Sequence, residues 1–259
     1  MSRVKDIIVK VIPSKIANEF VKKYHYSGKV VNNSNLHFGA FLDNRLHGVL
    51  SYGSPTSKQR VLGLVQPSLW NEMLELNRMV FDDYLPKNSE SRCIAISIRL
   101  IKKYAPHIKW ILSFSDGTQC GDGTIYRASG FVLTAIKDNK SIVKDLKTGE
   151  CFHKGLSIAH NPNKKEYFKS LETLNGKQLR YIYLIDKTCK ITVPILPFSK
   201  IDEMGAGMYK GKKITVAERK NKCVDSLNSR TVDDQSKGGG AIPTSTLHNN
   251  NINLIKKIS

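Results

Sequence analysis

Apolar positions recur with two different periods along this chain of 259 residues, and the switches between them predict its elements. Asp6-Ile-Ile-Val-Lys-Val-Ile12 is a strand-like run. Pro13 and Ser14 then open a helix, because proline is tolerated in a first helical turn, and Ile16, Ala17, Phe20 and Val21 are spaced for one buried face. The helix runs out into Tyr24-His-Tyr-Ser-Gly-Lys29. Two apolar runs, Leu36 to Leu42 and Leu46 to Tyr52, flank the polar Asp43-Asn44-Arg45 and predict a β-hairpin. Met73 to Phe81 is a further strand. Asn88-Ser-Glu-Ser-Arg92 carries the polar residues of a helix start, and Cys93 to Tyr104 continues as an amphipathic helix closed by Pro106. The apolar run Trp110 to Phe114 reads as a buried strand, followed by a glycine-rich turn and a short helix carrying Tyr126. Gly130 is expected to cap that helix in the left-handed conformation, and strand Phe131 to Ile136 follows. A lysine-rich excursion, residues 137–177, leads to one more strand, Leu179 to Ile185.

The order β-α-β-β-β-α-β-α-β plus a late strand predicts an α/β (α+β) fold, a mixed central sheet flanked by helices. Residues 1–205 read as one catalytic domain, with core 1–136, insertion 137–177 and late strand 179–186. Residues 206–259 read as a basic, Gly/Asn-rich tail. The run from Gly238 to Ile252 is too polar and glycine-rich to pack, so this tail is expected to be disordered.

Charge changes the picture more than composition does. The net charge of +19 exceeds what solubility needs and points to a polyanionic partner, with nucleic acid ahead of an anionic membrane surface. Residues 1–130 carry 18 basic and 10 acidic side chains, and residues 131–259 carry 23 and 12. The balances, +8 and +11, show that no single basic tail produces the excess. No apolar segment approaches the ~20 residues that a membrane helix requires. The five cysteines include no Cys-x-x-Cys pair, which argues against a structural zinc site, and an odd count without a signal peptide fits a reducing cytoplasm. Cys151, His153 and His160 offer two or three metal donors, but the local pattern has no fourth.

Chemistry is most legible between Ser113 and Phe131. The ending Tyr126-x-x-x-Gly-Phe131 resembles the place where GNAT acyltransferases fold a short helix over coenzyme A, and the hairpin followed by βαβαβ is the GNAT order. Such enzymes hold the coenzyme pyrophosphate on backbone N–H groups at the start of the helix after the fourth strand. Here that start, Asn88 to Ala95, lacks the usual glycines, so Ser89, Ser91 and Arg92 are the candidate phosphate donors. Either serine equally suits a helix N-cap. His25 and Tyr26, at the end of the first helix, suit metal binding, proton relay or base stacking, or else Tyr24 and Tyr26 anchor the loop while His25 is exposed. Asp116 ends a strand at the edge where ligands collect in α/β sheets, as a base, a metal ligand or a turn residue. Asp122, between two glycines, reads as a turn residue.

Four separated stretches, His25-Tyr-Ser-Gly-Lys29, Glu75-Leu-Asn-Arg-Met79, Asn88 to Arg92 and Ser113 to Phe131, together resemble the Mom DNA-modification proteins of phage Mu and its relatives. The resemblance is close over residues 15–136 and looser over Arg180 to Asp186. It implies a GNAT-type acyltransferase of the host cell cytoplasm that adds a carbamoylmethyl (methylcarbamoyl) group to the exocyclic amine of adenine in double-stranded DNA, making phage DNA resist restriction. It also implies acetyl-CoA as a ligand and iron as a proposed cofactor. On this resemblance His25, Tyr26 and Asp116 are the metal-linked positions, while Arg78 and Tyr126 lie near acetyl-CoA. Asp116 and Tyr126 are then the candidates for the base and for the proton donor to the leaving thiolate, and Tyr24, Tyr26 and Trp70 the aromatics available to stack on an extruded base. A carbamoylmethyl group contains a nitrogen that acetyl transfer does not supply, and iron-dependent oxidation or radical chemistry is one route to it. Two other readings stay open: a GNAT-type enzyme acting on tRNA or a protein amine, and a non-catalytic basic DNA-binding protein.

Overall fold

The computed structural model describes residues 3–25, 27–118, 122–154, 164–205, 208–209 and 212–213. Seven strands make the main sheet: β1 (Ile8–Val11), β2 (Ser34–Leu42), β3 (Arg45–Gly53), β4 (Met73–Phe81), β5 (Trp110–Asp116), β6 (Val132–Asn139) and β7 (Gly176–Leu184). Their spatial order is β1-β2-β3-β4-β5-β7-β6. Each neighbouring pair is antiparallel except β4 and β5. Three helices matter for the site, α1 (Ser14–Tyr24), α2 (Ser89–Tyr104) and α3 (Thr124–Ala128). The expected mixed α/β fold, with a mostly antiparallel sheet flanked by helices, is therefore the observed one.

Local chemistry explains the elements. Asp43 (φ 50°) and Asn44 (φ 59°) are both left-handed, as the tight turn of a right-twisted hairpin requires, and Asp and Asn tolerate that region better than other side chains. Along α1, Ala17, Phe20 and Val21 bury one stripe against Phe41, Val49 and Val80. The opposite sheet face takes α2, whose Ile94, Ile98 and Ile101 pack on Phe38, Leu50, Leu74 and Ile111. A third cluster, built on Met73, Trp110, Leu112 and Ile182, lies on the α1 face, and its buried Trp110 donates its indole N–H to Ser68 Oγ at 3.0 Å.

The late strand does not add to an edge. It inserts between β5 and β6, from Gln178 opposite Asp116 to Leu184 opposite Trp110. Within the lysine-rich excursion, Ile142–Asp145, Cys151–His153 and Leu171–Thr173 form a three-stranded antiparallel sheet that buries Ile142 and Val143. Among the described residues no helix is long and apolar enough to cross a membrane. Beyond Gly205 only a two-stranded pairing of Met208–Tyr209 with Lys212–Lys213 is described, so the tail expected to be disordered lies outside the described residues.

One feature of the sheet leaves an opening. The parallel pairing of β4 with β5 runs only from Met73 opposite Trp110 to Leu76 opposite Ser113. Beyond that rung β4 follows β3 as far as Phe81, while β5 follows β7 as far as Asp116. The carboxyl ends of the two parallel strands thus part company, which is where open α/β sheets receive ligands.

Candidate active site

On the α1 side of this opening lies a row of polar side chains. His37, Ser51 and Arg78 are cross-strand neighbours on β2, β3 and β4. The buried His37 imidazole shares a 2.8 Å hydrogen bond with Ser51 Oγ, and burial presses its pKa down. Arg78 reaches from the row to the loop after α1, donating from Nε to the Lys29 carbonyl at 3.0 Å and from Nη1 to the Asn77 carbonyl at 2.8 Å. The β3–β4 register shifts between Ser51 and Tyr52, leaving Asn77 as the extra residue on β4. That bulge brings Glu75 and Arg78 onto the same face although they are three residues apart.

Glu75 sits one position before the last paired rung, opposite Leu112. Burial pushes its carboxyl up to about 7, against the opposing pull of Arg78. A carboxylate with that value is half ionised at neutral pH, the condition that suits a proton acceptor.

His25 caps the carboxyl end of α1, its backbone N–H bonded to the Val21 carbonyl at 2.9 Å. Burial, and then the charge of Arg78, press its pKa down to about 4, so the ring is neutral at pH 7. Its Nδ1 accepts the Ser27 backbone N–H at 3.1 Å and lies 2.8 Å from Ser27 Oγ. The neutral ring therefore carries its proton on Nε2. Gly28 (φ +59°) turns the loop, with its N–H on the His25 carbonyl at 2.8 Å. Tyr26, the expected partner of His25, lies outside the described residues.

Asp116 ends β5, as expected, and its Oδ1 accepts the Thr118 backbone N–H at 2.9 Å, with Asn139 Nδ2 at 3.4 Å. That arrangement forms the turn leading away from the strand. Asp122 is the turn residue its flanking glycines predict, accepting the Thr124 N–H at 3.1 Å at the start of α3. Among the described residues no three His, Cys, Asp or Glu side chains come together as a metal set. Of the separate Cys151, His153 and His160 group, His160 and the His153 side chain lie outside the described residues.

Tyr126 belongs to the other face. It is buried, stacked on Tyr181 with centroids 5.0 Å apart and edge-on to Phe131 at 5.5 Å. The expected cap is present: Gly130 (φ +81°) donates to the Arg127 carbonyl at 3.1 Å, and Phe131 to the Tyr126 carbonyl at 3.0 Å. At the start of α2 neither serine is the N-cap, a position Asn88 takes with φ 68°. Ser91 turns its hydroxyl to the Asn88 carbonyl at 3.2 Å and Ser89 to the Pro86 carbonyl. Arg92 donates from Nη2 to the Lys5 carbonyl at 3.3 Å, while its buried Nε has no hydrogen-bond partner among the described residues.

Sequence reasoning gave Glu75 no role, although a lone carboxylate within the apolar Met73-Leu-Glu-Leu76 was a signal. Of the aromatics expected to stack on a base, Tyr24 lies against Phe20 at 4.5 Å and Trp70 packs on the Trp110 cluster with Lys58 Nζ 6.0 Å from its ring centre.

Residues 6–200 match the profile of the Mom protein family. A relative, methylcarbamoylase mom of Escherichia phage Mu, is 37% identical over 153 residues, which is 58% of this chain and 61% of that protein, so the match spans about three fifths of the relative. Among solved structures, the IAA acetyltransferase from Bacillus cereus ATCC 14579 is 12% identical over 69% of this chain and 99% of that one, with a TM-score of 0.43. A GNAT family acetyltransferase from Elizabethkingia anophelis, solved with acetyl-CoA bound, is 12% identical over 69% and 98% of the two chains, with a TM-score of 0.35. These structural likenesses are distant, and the assignment does not rest on them. With a profile that spans most of its length, the chain belongs to the Mom protein family.

Proposed function

We propose that this chain is an enzyme that modifies the exocyclic amine of adenine in phage DNA, leaving a carbamoylmethyl-type group that shields the DNA from host restriction, with acetyl-CoA as a ligand. The observation that carries this reading is the opening between β4 and β5, with Glu75 and Arg78 on one side, in a chain of the Mom family. An adenine amine is a weak nucleophile because its lone pair is delocalised into the ring, and it must shed a proton as its nitrogen forms a bond to carbon. Glu75 is the proposed acceptor of that proton, in preference to Asp116, whose carboxylate holds a turn. Arg78 keeps a positive charge near Glu75 and fixes the loop above it. In duplex DNA the amine is paired and stacked, so the base enters this opening by extrusion from the helix.

Acetyl-CoA, when bound, would supply the two-carbon unit of the carbamoylmethyl group; joining its methyl carbon to the amine requires a two-electron oxidant, and the amide nitrogen an ammonia-level donor, both as co-substrates. The α2 face fits it in one respect that the structure itself provides, the unpartnered buried Nε of Arg92 beside the amino end of a sixteen-residue helix. Arg92, the first turn of α2 with Ser89 and Ser91, and the Tyr126 hydroxyl are the groups proposed to hold it. Arg92→Ala is expected to weaken acetyl-CoA about tenfold, the loss of one charge-assisted hydrogen bond, while DNA binding stays unchanged. Calorimetric titration of both ligands checks this, and an unaltered acetyl-CoA isotherm removes Arg92 from the site.

Iron fits less well at His25. Its Nδ1 accepts a hydrogen bond from the Ser27 amide, so Nε2 bears hydrogen where a metal needs a lone pair, and Arg78 repels a cation nearby.

Nucleoside mass spectrometry of DNA from cells expressing the chain tests the whole reading. A modified deoxyadenosine is expected, and it disappears with Glu75→Gln. DNA left wholly unmodified, with a modified tRNA nucleoside or protein amine in its place, turns the assignment to the other acceptors of an acyltransferase.

A further inference from the structure

Between Phe20 and Asn71 the sequence contains a single acidic residue, Asp43, against six lysines and arginines. Asp43 lies at the hairpin turn, where it pairs with Arg3. The rest of this acid-free stretch converges elsewhere. The loop after α1 and the segment after β3 form the two walls of an open cleft of about 800 Å³, lined by Lys22, Lys29, Asn32, Asn33, Ser54 and Thr56 among others. Lys58 and Arg60, both exposed, stand on the short helix Lys58–Val61 that continues the second wall.

The walls are pinned at their base. Asn33 donates its side-chain amide to the Ser54 carbonyl, and a Cβ added at Gly53 would lie 1.9 Å from the Asn33 carbonyl oxygen, so only glycine permits that approach. Arg78 holds the Lys29 carbonyl from below at 3.0 Å, so the cleft's first wall touches the polar row beside the sheet opening. A cleft fixed before binding loses little entropy when it is filled. Beside the apolar Val30, Val31 and Pro55, its lining offers cations and amide or hydroxyl donors and no carboxylate, which are the groups that contact phosphate and sugar oxygens without reading sequence.

We infer that this cleft seats the sugar–phosphate backbone of the DNA strand that carries the target adenine, and so presents the base to the opening beside Arg78. The inference rests on the reading of the chain as a DNA-modifying enzyme, and it names the surface that holds the substrate. Affinity of the full chain for a short duplex, measured across a range of salt concentrations, tests it. Each phosphate contact contributes ~0.7–0.9 to the slope of log affinity against log salt. Lys22→Gln with Lys29→Gln is expected to make that slope shallower by about 1.5 and to weaken binding roughly tenfold at moderate salt. Lys22→Arg with Lys29→Arg is expected to keep the wild-type slope. Lys102→Gln with Lys103→Gln, two exposed charges in the last turn of α2, is the control and is expected to change little. Equal effects of the cleft pair and the control pair overturn the inference in favour of diffuse attraction. A cleft pair that loses acetyl-CoA affinity while its DNA slope is unchanged overturns it too, assigning the cleft to the coenzyme's phosphates. Wild-type protein with no salt-dependent DNA binding removes the DNA reading itself, and the cleft assignment with it.

Discussion

Glu75→Gln is expected to lower adenine modification by about 10²–10⁴-fold, the usual worth of a positioned general base, with affinities for DNA and acetyl-CoA largely unchanged. The wild-type rate should rise with pH through about 7, where the half-buried carboxyl gives up its proton, and level off above it. In the Gln variant that rise should be gone. Arg78→Ala should move the midpoint upward, because Arg78 is the charge that opposes the effect of burial. The same group shapes stability, and the direction follows from where its proton sits. Below the ordinary value of 4.5 the carboxyl is protonated whether the chain is folded or not, and Glu75 contributes nothing. Between 4.5 and about 7 the unfolded chain releases the proton while the native one keeps it, so stability falls as pH rises. Above 7 the full penalty applies, about 3 kcal/mol at roughly 1.4 kcal/mol for each unit of displacement. Glu75→Gln should therefore be the more stable protein at pH 8, by about 1–3 kcal/mol, and lose that advantage at pH 4, which urea unfolding at the two pH values measures. A Gln variant that turns over at the wild-type rate at pH 7 eliminates Glu75 as the base.

Gly123→Ala should cost about 2–4 kcal/mol and lower Tm by roughly 5–10 °C. Gly123 precedes α3 with φ +67°, and an added Cβ would lie 2.4 Å from the Tyr181 hydroxyl oxygen. Tyr181 has little room to move, being buried, bonded through its hydroxyl to the Asp122 carbonyl at 2.7 Å and stacked on Tyr126. The substitution therefore carries a backbone cost and a displacement of the tyrosine pair, and with Tyr126 in the proposed coenzyme site activity should fall as well. Gly149→Ala separates the two contributions. Gly149 has φ +74° with nothing within 4 Å of an added Cβ, so it bears the backbone cost alone. Equal thermal shifts for the two variants would show that the Tyr181 clash is relieved without penalty.

Local rules carried much of the architecture. The 3.6-residue stripe of α1, the polar turn at Asp43-Asn44, the strand at Met73–Phe81 and the left-handed cap at Gly130 each depend on a few consecutive residues, and each is where the sequence put it. The same holds for Asp116 at the end of its strand and for Tyr126 in a short helix, since both follow from an apolar run meeting a glycine-rich turn. Local sequence also left the folded three-stranded portion of residues 137–177 as an unassigned excursion, because its strands are short and lysine-rich and their buried positions, Ile142 and Val143, are few.

Tertiary structure decided the rest. Nothing in Gly176–Leu184 specifies that it inserts between β5 and β6, because a strand's own alternation says which face is buried and not which neighbours it pairs with. The end of the β4–β5 pairing at Leu76 and Ser113 likewise shows only in the sheet, where β4 goes on beside β3 and β5 beside β7. The chemical character of the site follows from that placement. Glu75 is an ordinary acid in the sequence, and only burial beside Arg78 brings its proton affinity to neutral pH. His25, fifty-three residues from Arg78, loses its own charge to the same burial and to that same guanidinium. Electrostatic coupling acts through space and desolvation acts through packing, so neither could be read along the chain before the sheet had brought these residues together.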